Sequence, residues 1–316
     1  MKKLKRKSLK IRKNIKEAAL AAITAGSLSV AMELRRELSE FLIRRYRICV
    51  PDPRGMGLDS QTTVKLVFLS DLHGKRYGTG NQELIRAVKH EKPDYILVGG
   101  DLVTRSNPKT DAIALELIRQ LVKICPVYLA NGNHEQKMRI CTEEYGDRYE
   151  KYMAAVQEAG VHVLESASEE VSMKGVPVQI SGLELPVKCY ARFFAQKLQI
   201  QDVRDAIGEP KEGHYQILLA HTPVFMPLYQ QWGADMTLSG HLHGGIIGLP
   251  GIGGLITPQA VLFPKYAGGI YREGKHIGIV SRGLGTHTVN LRFCNPAELV
   301  SVSLEFHSCE NVDNPV

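Results

Sequence analysis

The chain has 316 residues, 44% of them hydrophobic and 23% charged, which provides for a substantial core and excludes a disordered or low-complexity protein. Its formal charge of +7 does not point to nucleic acid, because residues 1–16 hold nine Lys or Arg and no acid, leaving the rest of the chain at −2. The six cysteines, Cys49, Cys125, Cys141, Cys189, Cys294 and Cys309, stand singly without CxxC pairs, which excludes a disulfide framework and reads as reduced thiols in a cytosolic setting.

The basic block leads into an uncharged run, Ala18–Met32, with the outline of a signal peptide. The run is shorter than the roughly 20 residues needed to span a bilayer, and Glu17 with Arg12, Lys13 and Lys16 interrupts the approach. Leu4, Ile11, Ile15, Ala18 and Ala22 recur at helical intervals. Residues 1–47 are therefore read as a basic amphipathic segment that binds an anionic membrane surface on the cytoplasmic side. An anchor, an export signal and a disordered tail are the alternatives.

Residues 30–47 continue as an expected helix, and Pro51, Pro53, Gly55 and Gly57 mark 48–60 as a linker. The folded domain is placed at 61–307, followed by a tail at 308–316. From Val64 onward, short apolar runs (VKLVFLS, DYILVGG, PVYLANG, VHVLES) alternate with segments of helical period (NQELIRAVKH, DAIALELIRQLVKI, EEYGDRYEKYMAAVQEAG), a βαβ rhythm with helices packed on a sheet. A hairpin-like stretch follows (EEVSMKGVPVQISGLE), then an expected helix over Ala191–Ile207 and two strands, QILLAHTP and ADMTLSGH, which imply a second, mixed sheet. Residues 244–285 are dense in Gly and Pro and read as loops, and HIGIVSRG with ELVSVSLEF forms a last strand pair.

Metal-capable side chains repeatedly follow the last apolar residue of a strand. Asp71 and His73 come after VKLVFLS, Asp101 after DYILVGG, Asn133 and His134 after PVYLANG, His221 after QILLA, and His241 with His243 after ADMTLSG. Open α/β sheets place their sites at strand carboxyl ends, so these residues are expected to converge on one rim. Each motif alone is ordinary turn chemistry. The ordered set of D-x-H, GD, GNH, H and GH-x-H is not. Its oxygen and imidazole donors, with no thiolate, suit Mn, Fe, Zn or Co.

This ordered set resembles the signature of the calcineurin-like metallophosphoesterase superfamily over residues ~64–305. DLHGKRYG, KPDYILVGGDLV, GNHE, SGHLHGG, FPKY and SRGLG are most similar to its bacterial membrane-associated or exported branch, although Ile246 stands where that branch carries Gln. The resemblance implies a four-layer α-β-β-α sandwich with two mixed sheets, of the metallo-dependent phosphatase type. It makes Asp71, His73, Asp101 and His243 ligands of one divalent ion, and Asp101, Asn133, His221 and His241 ligands of a second, with manganese favoured. His134, outside both ligand sets, is the expected general acid.

The implied reaction is hydrolysis of a phosphodiester, pyrophosphate or phosphomonoester by a two-metal-activated hydroxide. The substrate class extends to lipid- or nucleotide-linked phosphates. A non-catalytic metal-binding scaffold for protein partners and a nuclease are the alternatives, although no nucleic-acid partner is expected of an acidic body. Lys75, Arg76, Lys265, Tyr266, Arg282 and His287 are expected to hold the non-reacting part of the substrate. His90, His162, His214, His276 and His307 read as surface or satisfied core residues.

Overall fold

The computed structural model describes residues 24, 26–53, 62–190, 197–245, 247–249, 253–256, 263–286 and 290–307. Residues 1–23, Ile246, His287 and the tail at 308–316 lie outside them, and with them the basic block, one departure from the family pattern and one expected substrate contact.

The first described element is a helix, α1, over residues 26–39. The expected helix over 30–47 stops there, and β1 (Phe41–Pro51) follows as an eleven-residue strand. Its sequence explains the change of period. Phe41 and Ile43 pack to one side of the sheet, while Tyr46, Ile48 and Val50 pack to the other. Two-residue alternation of β-branched and aromatic side chains is a strand pattern. The segment expected to be a membrane-binding arm and linker thus contributes a strand to the folded body.

In chain order there follow β2 (Thr62–Leu69), α2 (Gln82–Glu91), β3 (Tyr95–Val98), α3 (Lys109–Leu121) and β4 (Val127–Leu129). Next come α4 (Asn133–Ile140), α5 (Thr142–Tyr145), α6 (Arg148–Glu158), β5 (His162–Val163), β6 (Ala167–Met173) and β7 (Val176–Leu183). The chain continues with α7 (Ile200–Ile207), β8 (Tyr215–Ala220), α8 (Met226–Trp232) and β9 (Met236–Ser239). It ends with β10 (Ile247–Leu249), β11 (Gly253–Ile256), β12 (Gly269–Glu273), β13 (His276–Val280) and β14 (Ala297–His307). The helix expected over Ala191–Ile207 is described only from Ile200, since 191–196 lie outside the described residues.

Two six-stranded mixed sheets result, ordered β1-β14-β2-β3-β4-β5 and β12-β13-β9-β8-β7-β6. Leu66, Phe68, Val302 and Leu304 of the first sheet meet Ile217, Leu219, Leu238 and Ile279 of the second in one dry layer. The outer face of the first sheet carries α2, α3 and α6 through residues such as Leu84, Leu117 and Val156. The outer face of the second carries α7 and α8 through Val203, Tyr229 and Trp232. This is the expected α-β-β-α sandwich. The last two strands do not pair as expected: β13 lies beside β9 in the second sheet and β14 beside β1 and β2 in the first. The Gly-rich stretch also holds strands, β12 against β13 and the small β10-β11 hairpin.

Strands β2, β3 and β4 run parallel, as do β8, β9 and β13. Each trio therefore delivers its carboxyl ends to one edge of its sheet.

Candidate metal centre

Immediately beyond β2, Asp71 and His73 adopt left-handed backbone conformations, with φ of 53° and 49°. Asp101 after β3 (54°) and His241 and His243 after β9 (69° and 51°) do the same. Left-handed backbone is disfavoured for residues with a Cβ and is concentrated at sites where the surroundings enforce it. Here the enforcing contacts are backbone bonds between neighbouring loops. The N–H groups of Asp71 and His73 donate to the carbonyls of Gly100 and Asp101, both at 3.0 Å, and Gly240 donates to His221 at 2.9 Å.

Glycine makes the close approach possible. A Cβ on Gly240 would stand 2.1 Å from Asp71 Oδ2, and one on Gly132 would stand 2.2 Å from Asp101 Oδ1. The two carboxylates thus occupy space that only glycine leaves open.

Three overlapping groups have ligand atoms within 4.8 Å of one another: Asp71, His73 and His243; Asp101, His221 and His241; and His73, Asp101 and His134. His73 Nε2 lies 3.2 Å from His243 Nε2, and His243 Nε2 lies 3.4 Å from Asp71 Oδ1. Across the cluster, His221 Nε2 is 3.1 Å from Asp101 Oδ2, which in turn is 3.9 Å from His73 Nε2. Spacings of this order are those of adjacent ligands on one cation with bonds of about 2.1 Å.

Burial sets the electrostatics. Asp71 is fully buried, and loss of solvent pushes its pKa up to about 6 against the pull of His221. Asp101 is also desolvated, but His221, His134 and His73 around it hold its carboxyl well below the usual range. Burial alone would lower the pKa of His221, yet Asp101 and Asp71 push it up to about 10. The buried charges therefore demand one another, as expected of a site shaped around cations.

The fit of the residues to divalent ions can be judged from the donors themselves. Two carboxylates and five imidazoles converge with no thiolate among them, and Asn133 presents a buried Oδ1 with no hydrogen-bond partner among the described residues. An orphaned buried carbonyl oxygen is costly unless something else satisfies it. The set could hold two divalent cations, one among Asp71, His73, Asp101 and His243 and one among Asp101, Asn133, His221 and His241.

Around these residues the support is specific. His221 Nδ1–H donates to the Gly99 carbonyl at 2.7 Å, which turns Nε2 toward the carboxylates. The His241 N–H donates to both oxygens of Asp71, at 3.0 and 3.1 Å, and the His134 N–H donates to Asp101 Oδ1 at 2.8 Å. His134 is itself held by the Arg105 N–H, which donates to Nδ1 at 3.0 Å.

Several residues beyond the candidate ligands and His134 also shape this site. Glu135 is buried and accepts from the N–H groups of Asp101, Gly132 and Val103 at 2.9, 3.1 and 3.3 Å, stapling the β3 and β4 loops together. Burial and the nearby Asp101 charge push its pKa up to about 8. Its signal was the Gly-to-Glu spacing of three residues at the start of α4, the capping-box interval. Asn295 donates from Nδ2 to the carbonyls of His243 and Gly245, at 2.6 and 2.5 Å, while its N–H is taken by Glu37 of α1 at 3.1 Å. The buried Arg292 donates to the carbonyls of Arg282, Gly283, Gly285 and Asn295. No local motif marks either residue, because both act on distant backbone.

The expected substrate-holding residues have other partners. Lys75 Nζ donates to the Leu38 carbonyl at the end of α1, and Arg76 pairs with Glu116 at 2.9 Å. Lys265 and Tyr266 both bind Glu273, at 3.1 and 2.9 Å. Arg282 lies against the His241–His243 loop, where its Cγ would be 2.9 Å from a Cβ on Gly244.

The chain is similar to several known proteins. The chain is 28% identical over 252 residues to the uncharacterized metallophosphoesterase YkuE of Bacillus subtilis (strain 168), covering 76% of this chain and 79% of that protein. It is 23% identical over 230 residues to the phosphodiesterase YaeI of Escherichia coli (strain K12), covering 72% and 77%. Among solved structures, it is similar to the phosphopantetheinyl hydrolase of Mycobacterium tuberculosis at 15% identity and a TM-score of 0.44, covering 72% of this chain and 94% of that one. The sequence pattern of the calcineurin-like phosphoesterases matches residues 64–245, and the chain belongs to that family of metal-dependent hydrolases.

Proposed function

We propose that the chain hydrolyses a phosphodiester, pyrophosphate or phosphomonoester at this centre, with His134 as general acid. The observation that carries the reading is the convergence of five strand-end loops, three from the first sheet and two from the second, on one pair of carboxylates. Two bound divalent cations, manganese being favoured, supply Lewis acidity toward the phosphate oxygens and bring a water pKa toward neutrality.

The chain's own residues do the rest. Asp101 lies between the two imidazole groups and would help to hold both ions, with Asp71 and Asn133 contributing one to each side. The Arg105 N–H occupies Nδ1 of His134, so the proton of the neutral ring resides on Nε2. From Nε2 the ring would donate to the leaving oxygen, a contribution typically worth ~10²–10⁴-fold.

The reading also takes in an anionic membrane surface as partner. Leu28, Val30 and Met32 of α1 are exposed, at 62, 46 and 65%, downstream of the basic block. No described helix is long and apolar enough to cross a membrane. An interfacial helix with neighbouring cationic residues is the arrangement that favours anionic lipid and responds to salt. Equal binding to neutral and anionic vesicles would count against it.

The deciding experiment is a manganese-supplemented assay of the purified full chain against p-nitrophenyl phosphate, its bis ester, cyclic nucleotides, nucleotide-linked lipids and phospholipids. Turnover of at least one class, lost on chelation and restored by the ion, supports the reading. Failure on every ester with Mn, Fe, Zn and Co would overturn it.

A further inference from the structure

We propose that Cys49, Glu305 and His307 form a separate site for a zinc-class divalent cation at the end of β14 remote from the centre described above. The proposal stands whether or not that centre hydrolyses phosphate esters. Strands β1 and β14 run parallel with Cys49 opposite Glu305 and Pro51 opposite His307. Residues two apart on a strand share a face, so Glu305 and His307 present their side chains to the same side of the sheet. Their ligand atoms and that of Cys49 lie within 4.8 Å of one another. Glu298 at the start of β14 accepts from the Arg282 N–H beside the ligand loops. Seven residues of strand then put Glu305 roughly 23 Å further along.

The details resemble a preformed cradle. Cys49 Sγ is 3.7 Å from Glu305 Oε2, and His307 Nε2 is 4.0 Å from the same oxygen. Tetrahedral zinc with ordinary bond lengths separates sulfur from oxygen by about 3.5 Å and nitrogen from oxygen by about 3.3 Å. Small side-chain rotations close the difference. The Glu305 side chain is only 8% exposed, and His307 Nε2 is a buried atom with no hydrogen-bond partner among the described residues. Arg47 pairs with the other carboxylate oxygen, Oε1, and so aims Oε2 at the cysteine and histidine. Support of that kind, a second partner fixing a ligating carboxylate, is characteristic of metal sites.

The donor set selects the ion. One thiolate, one imidazole and one carboxylate suit Zn²⁺ or Co²⁺ and disfavour Mg²⁺, Ca²⁺ and Mn²⁺. A cation held there clamps the edge strand β1 to β14 in addition to the backbone ladder. Three protein ligands leave a fourth position for water.

Cobalt distinguishes this site from the other, because the first centre contains no cysteine and gives no thiolate-to-cobalt charge-transfer band. Metal-free full-length protein carrying Cys309→Ser is titrated with Co²⁺ and followed in the near ultraviolet. The expected result is a saturable charge-transfer band that Cys49→Ser abolishes, with at least tenfold weaker binding in Glu305→Gln and in His307→Ala. Far-ultraviolet circular dichroism and thermal unfolding verify that each variant is folded. No charge-transfer band, a band that survives Cys49→Ser, or unchanged affinity in folded Glu305→Gln and His307→Ala would overturn the proposal.

Discussion

The Arg105 backbone N–H and His134 Nδ1 lie 3.0 Å apart, so the neutral imidazole accepts at Nδ1 and carries its proton on Nε2. His134→Ala should therefore keep its metal while losing about 10²–10⁴-fold in kcat on an alkyl phosphodiester, whose leaving group needs a proton. The loss should shrink on a p-nitrophenyl ester, whose leaving group does not. Parallel metal analysis and steady-state kinetics on the two substrates check this, and an undiminished kcat on the alkyl ester would reject the role.

Glu135 accepts from three backbone N–H groups in two loops. Glu135→Ala leaves all three donors buried and unsatisfied, a loss on the order of 3 kcal/mol in unfolding free energy. Glu135→Gln retains an acceptor oxygen and should lose less. Urea denaturation of the two variants, with bound metal measured alongside, gives the comparison. Wild-type stability in the alanine variant would show that the staple contributes nothing.

Removal of metal should cost stability as well as activity. Asp71, Asp101, His221 and His243 are almost wholly buried, and a cation binding the native state alone stabilises it by mass action. At free manganese a hundredfold above its Kd, the gain is about 2.7 kcal/mol per site. Thermal unfolding of chelated and manganese-loaded protein measures it. Identical curves would mean that no ion binds the folded state.

His276 offers a pH prediction away from the metal ligands. Burial lowers its pKa below 6.5, while the hydrogen bond from Nδ1–H to the Ala234 carbonyl at 2.7 Å and the charges of Glu273 and Asp235 oppose that shift. The unfolded imidazole gains its proton near pH 6.5 and the folded one only at lower pH. The stability contributed by neutral His276 is thus fully present above 6.5 and is lost as pH falls through the folded value. In chelated protein, acidification below 6.5 should destabilise the wild type more than His276→Gln. Equal slopes of unfolding free energy against pH would contradict this.

The candidate metal centre is legible because its chemistry is written next to strand ends: Asp71, Asp101 and His221 each follow an apolar run that is readable by its length and composition. The sandwich was legible for the same reason. What escaped was long-range. Nothing near Asn295 announces that its side chain secures the His243 carbonyl, and nothing near Glu37 announces that it receives the Asn295 N–H. The strand at Phe41–Pro51 was hidden because Arg44, Arg45 and Arg47 dilute an alternation that the parallel ladder to β14 makes decisive. The β13 and β14 partners escaped because adjacency along the chain says little about which sheet a strand joins.

The ladder between β1 and β14 bears on how the protein can be shortened. Cutting at residue 61, where the sequence alone would begin the body, removes Phe41–Pro51 and with it one whole flank of an eleven-residue strand rich in Val, Leu and Phe. The freed backbone of β14 would then be a sticky border open to another copy of the chain, the kind of edge that seeds aggregation. Shortened versions of this enzyme should start upstream of α1, or they will fail for reasons unrelated to catalysis.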